Sequence, residues 1–174
     1  MKRWIGPFIA ALLAGLVGWQ AGLALSTYGL MRAAIWRIAG EDGLNTMRYG
    51  DLPTPQNQSI VRPSPDLAYS SCPYDLSKGP LLISVTPVAG RYSSLSIFDA
   101  RTDVVFVRND LQAGGKPFEI VLARPGQAVP AGKEVVRVDH DMGIALIRLL
   151  LNAPSEITSL DGVRRQSTCR PLAG

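Results

Sequence analysis

The sequence predicts a mainly β protein. A small antiparallel β-sandwich, jelly-roll-like in character, follows a long N-terminal transmembrane helix and ends near a short C-terminal helix. Three observations predict this. Trp4 to Met31 is a run of 28 residues without a formal charge, longer than the ~20 apolar residues that a bilayer-spanning helix needs. Beyond residue 59, short runs of alternating apolar and polar residues recur between turns rich in Pro, Asp and Gly, which is the pattern of a sandwich or barrel. Finally, Pro154-Ser155-Glu156 opens a segment with Ile157, Leu160 and Val163 at a spacing of three, and Arg164 and Arg165 follow at its end, where a helix favours cations.

Charge is distributed as unevenly as hydrophobicity. The segment 1–40 carries Lys2, Arg3, Arg32 and Arg37 and no acid, while the remaining basic residues balance all 14 acids in 41–174. The net charge of +4 therefore belongs to the N-terminal segment. It points to a membrane flank rather than to nucleic acid. No Lys/Arg cluster alternates with aromatics in the body of the chain, which argues against a nucleic-acid partner. Lys2 and Arg3 precede the apolar run, so the positive-inside rule places the N-terminus in the cytoplasm and the body outside it. The expected location is the bacterial inner membrane, single-pass, with a periplasmic body and the lipid bilayer as one partner. The alternative is a cleaved signal peptide with a site near Gly22-Leu23-Ala24. Its apolar core would be shorter, about 7–15 residues, so the length favours a retained anchor.

Within the span, Ala10, Ala14, Gly18, Gly22 and Ser26 recur every four residues. On a helix they form one ridge of small side chains that lets another helix approach closely, or that simply faces lipid. The helix is expected to run on to Ile38, about 52 Å from Trp4 at 1.5 Å per residue. Leu30, Met31, Ala34, Ile35 and Ile38 form an apolar stripe in its last turns, and Gly40 stops it. That stripe either packs on the body or, with Trp36, marks the outer membrane interface. Residues 1–40 are thus one unit, and 41–58 reads as a linker with Gly43, Gly50, Pro53 and Pro55.

The β domain is placed at 59–166 and a loose tail at 167–174. Strands are expected near 59–63, 67–74, 80–86, 91–98, 103–108, 118–124, 134–139 and 143–150. Leu81, Ile83 and Val85 alternate with Leu82, Ser84 and Thr86, and Leu95 and Ile97 with Ser94, Ser96 and Phe98, so each strand has one face more buried than the other. The run IALIRLLL from Ile144 suits a buried strand or a helix; the turn-like His140–Gly143 before it favours a strand. Cys72 and Cys169 are an even pair. In an oxidising compartment they either form a disulfide or remain two thiols. A bridge would close nearly a hundred residues and contribute about 4–5 kcal/mol in the chain-entropy model.

Ile60 to Ala100 carries a resemblance. Arg62-Pro63-Ser64-Pro65-Asp66-Leu67-Ala68-Tyr69-Ser70 is similar to the first motif, Arg-Pro-Asn-x-Asp-Thr-x-Tyr-Ser, of the family called domain of unknown function 1254. Gly90-Arg91-Tyr92-Ser93-Ser94-Leu95-Ser96-Ile97-Phe98-Asp99 resembles its second motif, Gly-Arg-Tyr-Tyr-Ser-x-Gln-x-x-Asp, and the turn Asp75-Leu76-Ser77-Lys78-Gly79-Pro80 precedes it. The resemblance covers roughly Asn45 to Arg165. It implies a β-sandwich-like fold and no established reaction. It also implies a partner, a companion chain of the 1214-type domain family, which commonly forms the second half of longer relatives. Ser64, Leu67, Ser93 and Ser96 depart from the motifs, so several polar side chains of a shared site are shortened or lost.

The polar residues with placed roles are Arg62, Asp66, Tyr69, Arg91 and Asp99. Arginine and aspartate in bidentate pairs pin strands together, and a tyrosine hydroxyl joins such a cluster; the same set would also bind a carboxylate or a sugar. Arg148 lies inside an apolar strand and must be paired or reach the surface, so Asp99 or Asp139 is expected beside it. His140, between Asp139 and Asp141, is expected to be solvated in a turn, and no second histidine supports a metal site. No Gly-x-Ser-x-Gly elbow, phosphate loop or dinucleotide fingerprint occurs, so no catalytic residue, cofactor or metal is assigned. The functional expectation is an assembly module for a companion chain; the alternative is a domain that binds or hydrolyses a carbohydrate or lipid-like molecule.

Overall fold

The computed structural model describes residues 4–41, 43–54, 56 and 63–172. Helix α1 (Ile5–Ala39) comes first, followed by strands β1 (Arg48–Tyr49), β2 (Leu67–Asp75), β3 (Leu81–Val85), β4 (Ser93–Phe98), β5 (Val104–Asn109), β6 (Phe118–Ala123), β7 (Val135–Arg137) and β8 (Met142–Leu150). A 3₁₀ turn (Pro154–Glu156) leads into helix α2 (Ile157–Arg164), and strand β9 (Thr168–Pro171) follows. The strands form two sheets, ordered β1-β2-β8-β4-β5 and β7-β6-β3-β9. Every pairing is antiparallel except β6 with β7. The run IALIRLLL is the strand β8, hydrogen-bonded to β2 on one side and to β4 on the other.

Side-chain alternation explains how the sheets face each other. Leu81, Ile83 and Val85 of β3 join Ile120 and Leu122 of β6 in one buried cluster with Cys72, Tyr74, Leu95, Ile97, Ala145 and Ile147 of the larger sheet. Odd-numbered positions of β8 thus line the core, and even-numbered ones lie on the sheet's outer face. Leu82, Val121 and Ala123 are buried on the far side of the smaller sheet, under Val129, Val135 and Leu172.

Two strands lie where none was expected. β1 falls in the segment read as a linker, and β9 in the segment read as a loose tail. Runs of two and four residues are too short to show a period; each is fixed by its neighbours. Arg48 and Tyr49 pair with Ser71 and Ser70, and Thr168 to Pro171 pair with Ser84 to Leu81. The strand expected near 59–63 lies outside the described residues, apart from Pro63, which is in no strand.

β9 also carries Cys169, which is disulfide-bonded to Cys72 of β2 across a separation of 97 residues. The bond crosses the core from one sheet to the other. At the same end, buried Arg164 of α2 donates to the Gly50 and Tyr69 carbonyls at 2.9 and 3.2 Å and to Asp161. Hydrogen bonds from Arg165 and Arg164 hold the Asp161 carboxyl below its usual range. These contacts fix α2 to the β1–β2 edge.

α1 runs to Ala39, and its stripe packs on the body. Met31, Ile35 and Ala39 are buried, and Met31 and Ile35 cluster with Ile144, Phe98, Ala34 and Ile38. Arg48 donates to the Ala39 and Gly43 carbonyls, adding to the Gly43 N–H that reaches the Ala39 carbonyl at 3.2 Å, and so helps to cap the helix end. The earlier part of α1 is long and apolar enough to cross a membrane, with a mean hydropathy of 1.9 over 18 residues, none of them buried.

Gly143 is required by close approach. A Cβ there would fall well inside contact distance of the Phe98 carbonyl and the Tyr74 ring. Gly143→Ala is expected to cost about 2–4 kcal/mol through overpacking between strands that cannot separate. Urea unfolding checks this, and an unchanged midpoint would show that the ring and carbonyl yield. Replacing Cys72 and Cys169 together by Ser is expected to cost about 4–5 kcal/mol. Thermal unfolding should show the same loss when the wild-type protein is reduced.

Candidate functional site: the outer face and open edge of the larger sheet

Three rows cross the outer face of the larger sheet. By strand register they are Pro73–Ile144–Phe98, then Ser71–Leu146–Ser96–Val107, then Tyr69–Arg148–Ser94–Asn109. The first row is apolar, and α1 covers it through Met31 and Ile35. The second is mixed. The third is polar throughout, although β8 is otherwise almost wholly apolar.

A hydrogen-bonded chain fastens α1 beside the first row. His140 Nδ1 lies 3.1 Å from Asp99 Oδ2, and His140 Nε2 lies 3.0 Å from the Tyr28 hydroxyl. A carboxylate at Nδ1 places the ring proton there and leaves Nε2 to accept from the phenol. The Tyr28 and His140 rings also meet edge to face at 5.6 Å. Asp99 serves two elements. Its Oδ1 accepts the backbone N–H groups of Arg101 and Asp103 at 2.8 and 3.0 Å, shaping the β4–β5 turn, and its Oδ2 faces His140. Beneath it, burial and then the nearby Asp99 charge push the Tyr74 phenol well above its ordinary range. The Tyr74 hydroxyl donates to the Phe98 carbonyl at 3.0 Å. A small cleft of about 100 Å³ between Tyr28, Met31, Arg32, Ile35, Ala100 and Met142 completes this junction.

The expected polar residues that are described do not converge on one site. Arg62 lies outside the described residues. Asp66 is exposed in the turn before β2. The Tyr69 hydroxyl accepts the Ser64 N–H at 2.8 Å. Arg91 pairs with Glu156 at 2.7 Å and so braces the 3₁₀ turn, while Asp99 belongs to the α1 junction. The expectation of an acid beside Arg148 is corrected: its Nη2 donates instead to the Ser96 hydroxyl at 2.8 Å, and no ion pair to it exists among the described residues. Asp99 is held away by His140 and its own turn. His140 is also corrected, from a solvated turn residue to a partly buried one with two partners. Those partners are 41 and 112 residues away in sequence, so a local reading of Asp139-His140-Asp141 had no signal to find them. The ridge Ala10, Ala14, Gly18, Gly22 and Ser26 lies on the exposed part of α1, and nothing approaches its glycines within 4 Å.

The larger sheet ends at β5, which pairs only with β4. Phe106 turns inward, and Arg108 stacks on the Phe106 and Phe118 rings at 5.2 and 5.1 Å while bonding Glu134. Its first outward positions are apolar and open, before the polar Asn109: Val104 and Val107 are each 54% exposed, and Leu111 just beyond is 81% exposed. Two larger clefts among the described residues lie elsewhere. One of about 450 Å³ is lined by Gly50, Asp51, Asp161 and Arg164, and one of about 540 Å³ by Ser84, Phe118, Lys133 and Glu134. None of Asp66, Tyr69, Arg91 or Asp99 lines either.

The fold and site define a class: a two-sheet β domain docked on one long apolar helix, with β5 as an edge strand of the larger sheet. A family model described as "Protein of unknown function (DUF1254)" matches residues 44–171, and the chain belongs to that family. The fold is similar to the crystal structure of the VPA0106 protein from Vibrio parahaemolyticus, with a TM-score of 0.65 and 21% identity over 87% of this chain. The matched part is 37% of that chain, so this chain spans well under half of its length. A structure of an uncharacterized protein from Burkholderia cenocepacia aligns with a TM-score of 0.47 and 18% identity, over 88% of this chain and 41% of that one.

The junction makes a local prediction. Tyr28→Phe removes only the hydroxyl that reaches His140, a loss of about 1 kcal/mol. Hydrogen exchange at residues 31–39 should then quicken roughly fivefold, with the β8 amides unchanged. Uniform quickening across the sheets would show that Tyr28 supports the whole domain instead.

Proposed function

We propose that this protein is a membrane-anchored assembly module. α1 holds the chain in a bilayer, with its basic N-terminus in the cytoplasm and the β domain in the periplasm. The domain offers the β5 edge to a companion polypeptide of the 1214-type domain family. The observation that carries this reading is the edge itself. Soluble monomers blunt their sheet edges with charge, proline or a covering loop, yet β5 presents Val104 and Val107 to solvent beside exposed Leu111. An added strand would satisfy the edge's backbone groups and cover the valines together. The Vibrio relative, whose chain extends well beyond the matched fold, supports a β domain that works next to further structure. The stripe of α1 packed on the sheet supports a domain held close to the membrane and not hung on a free tether.

The test is co-purification of the full-length protein with a tagged companion-type chain from membranes. Val104→Lys with Val107→Lys is expected to reduce recovery at least about tenfold, the effect of losing roughly 1.4 kcal/mol or more of binding, while Gly18→Leu with Gly22→Leu separates any contribution of the helix. Recovery unaffected by the lysines, or no complex with the wild-type protein, would overturn the reading.

A further inference from the structure

We infer that the polar row Tyr69–Arg148–Ser94 is a binding site for a small carboxylate. Arg148 is the starting point. A guanidinium halfway along an apolar strand must be paired or reach water, and its donors are best used by an anion. Arg91, Arg108, Arg124, Arg164 and Arg165 each have an acidic partner. Arg148 instead has one neutral hydroxyl, Ser96 Oγ at 2.8 Å. Its Nε is shielded from solvent with no hydrogen-bond partner, and so is Oγ of Ser94, its register neighbour on β4. On the other side, Tyr69 of β2 is its register partner.

Tyr69, Arg148, Ser94 and the adjoining Ser96 offer donors. The Tyr69 oxygen already accepts from the Ser64 N–H, and the Ser96 oxygen accepts from Arg148, so the protons of both hydroxyls remain to be given. Ser94 has a proton to give as well. No acid lies in the row. The complement of several donors and one positive charge is a planar, singly charged acceptor, and a carboxylate fits an arginine edge with two parallel hydrogen bonds. A phosphate would bring nearly two charges to one guanidinium. Arg148 is partly open to solvent, and rotation of its long side chain would turn the shielded Nε–H toward an incoming ligand.

The site is independent of the β5 edge, and its test uses the full-length protein alone in detergent. Thermal unfolding is measured at constant ionic strength with sodium chloride, acetate, succinate or phosphate. Acetate or succinate is expected to raise the melting temperature by about 5–11 °C at a hundred times Kd, with chloride giving no such rise. Arg148→Gln should abolish the increment. Should Arg148→Gln fail to fold, Ser94→Ala serves: it removes an unpartnered hydroxyl, so the unliganded protein should melt unchanged while the increment shrinks. Equal shifts in chloride and acetate, a rise in phosphate alone, or an increment that survives whichever variants fold would overturn the proposal.

Discussion

Strand β8 is hydrogen-bonded along both edges and contacted on both faces, and the rest of the structure is arranged around that constraint. Its odd positions face the smaller sheet, and Gly143 among them sits where the Tyr74 ring of β2 and the Phe98 carbonyl of β4 leave no room for a side chain. Its even positions carry what is distinctive on the outer face. Ile144 receives α1, and Arg148 interrupts the apolar surface with a charge. A shift of one residue in its register would exchange these two sets, placing Arg148 in the core and Ile147 in the open. The pairing of β8 with β2 and with β4 over most of its length makes such a shift costly. It therefore fixes the core, the helix dock and the polar row in one step.

Much of this was legible in the residues. The alternation of Leu81, Ile83 and Val85, and of Leu95 and Ile97, identified the inward faces, because a half-buried strand repeats every two residues. The apolar stripe from Met31 to Ile38 contained the helix dock as one of two alternatives. The structure selects packing on the body and leaves Trp36 56% exposed. What stayed hidden depends on distances that only the fold creates. Whether Cys72 meets Cys169 depends on two sheets facing each other, and β9 becomes a strand only because β3 offers it an edge. His140 showed the limit most clearly, since both of its partners come from remote segments.

The candidate site was read less well than the fold. The polar residues of the two family motifs were expected to pin strands together or to form a shared site, and three of them settle into separate local structural tasks. Arg91 braces the turn before α2, Asp99 shapes a hairpin and holds His140, and Tyr69 accepts a backbone N–H from Ser64. The acid anticipated for Arg148 was sought among residues close to β8 in sequence or motif, whereas the register surrounds Arg148 with hydroxyls. Period-2 reasoning identifies which face a residue lies on. It does not say which residues of other strands lie beside it, and that neighbourhood is the chemistry.

The bond between Cys72 and Cys169 has a consequence for the order of folding. Most contacts of the larger sheet join distant parts of the chain, β2 with β8 above all, and such topologies assemble slowly. The disulfide adds a sequence to that slowness, since Cys72 lies on the first long strand and Cys169 on the last. During synthesis from the N-terminus the earlier thiol must wait for almost the whole domain before it meets its partner. Until β9 arrives, β3 has a free edge made of Leu81, Leu82, Ile83, Ser84 and Val85, a strongly adhesive surface for other unfinished chains. The final strand thus closes an aggregation-prone edge and, once oxidised, makes that closure hard to reverse.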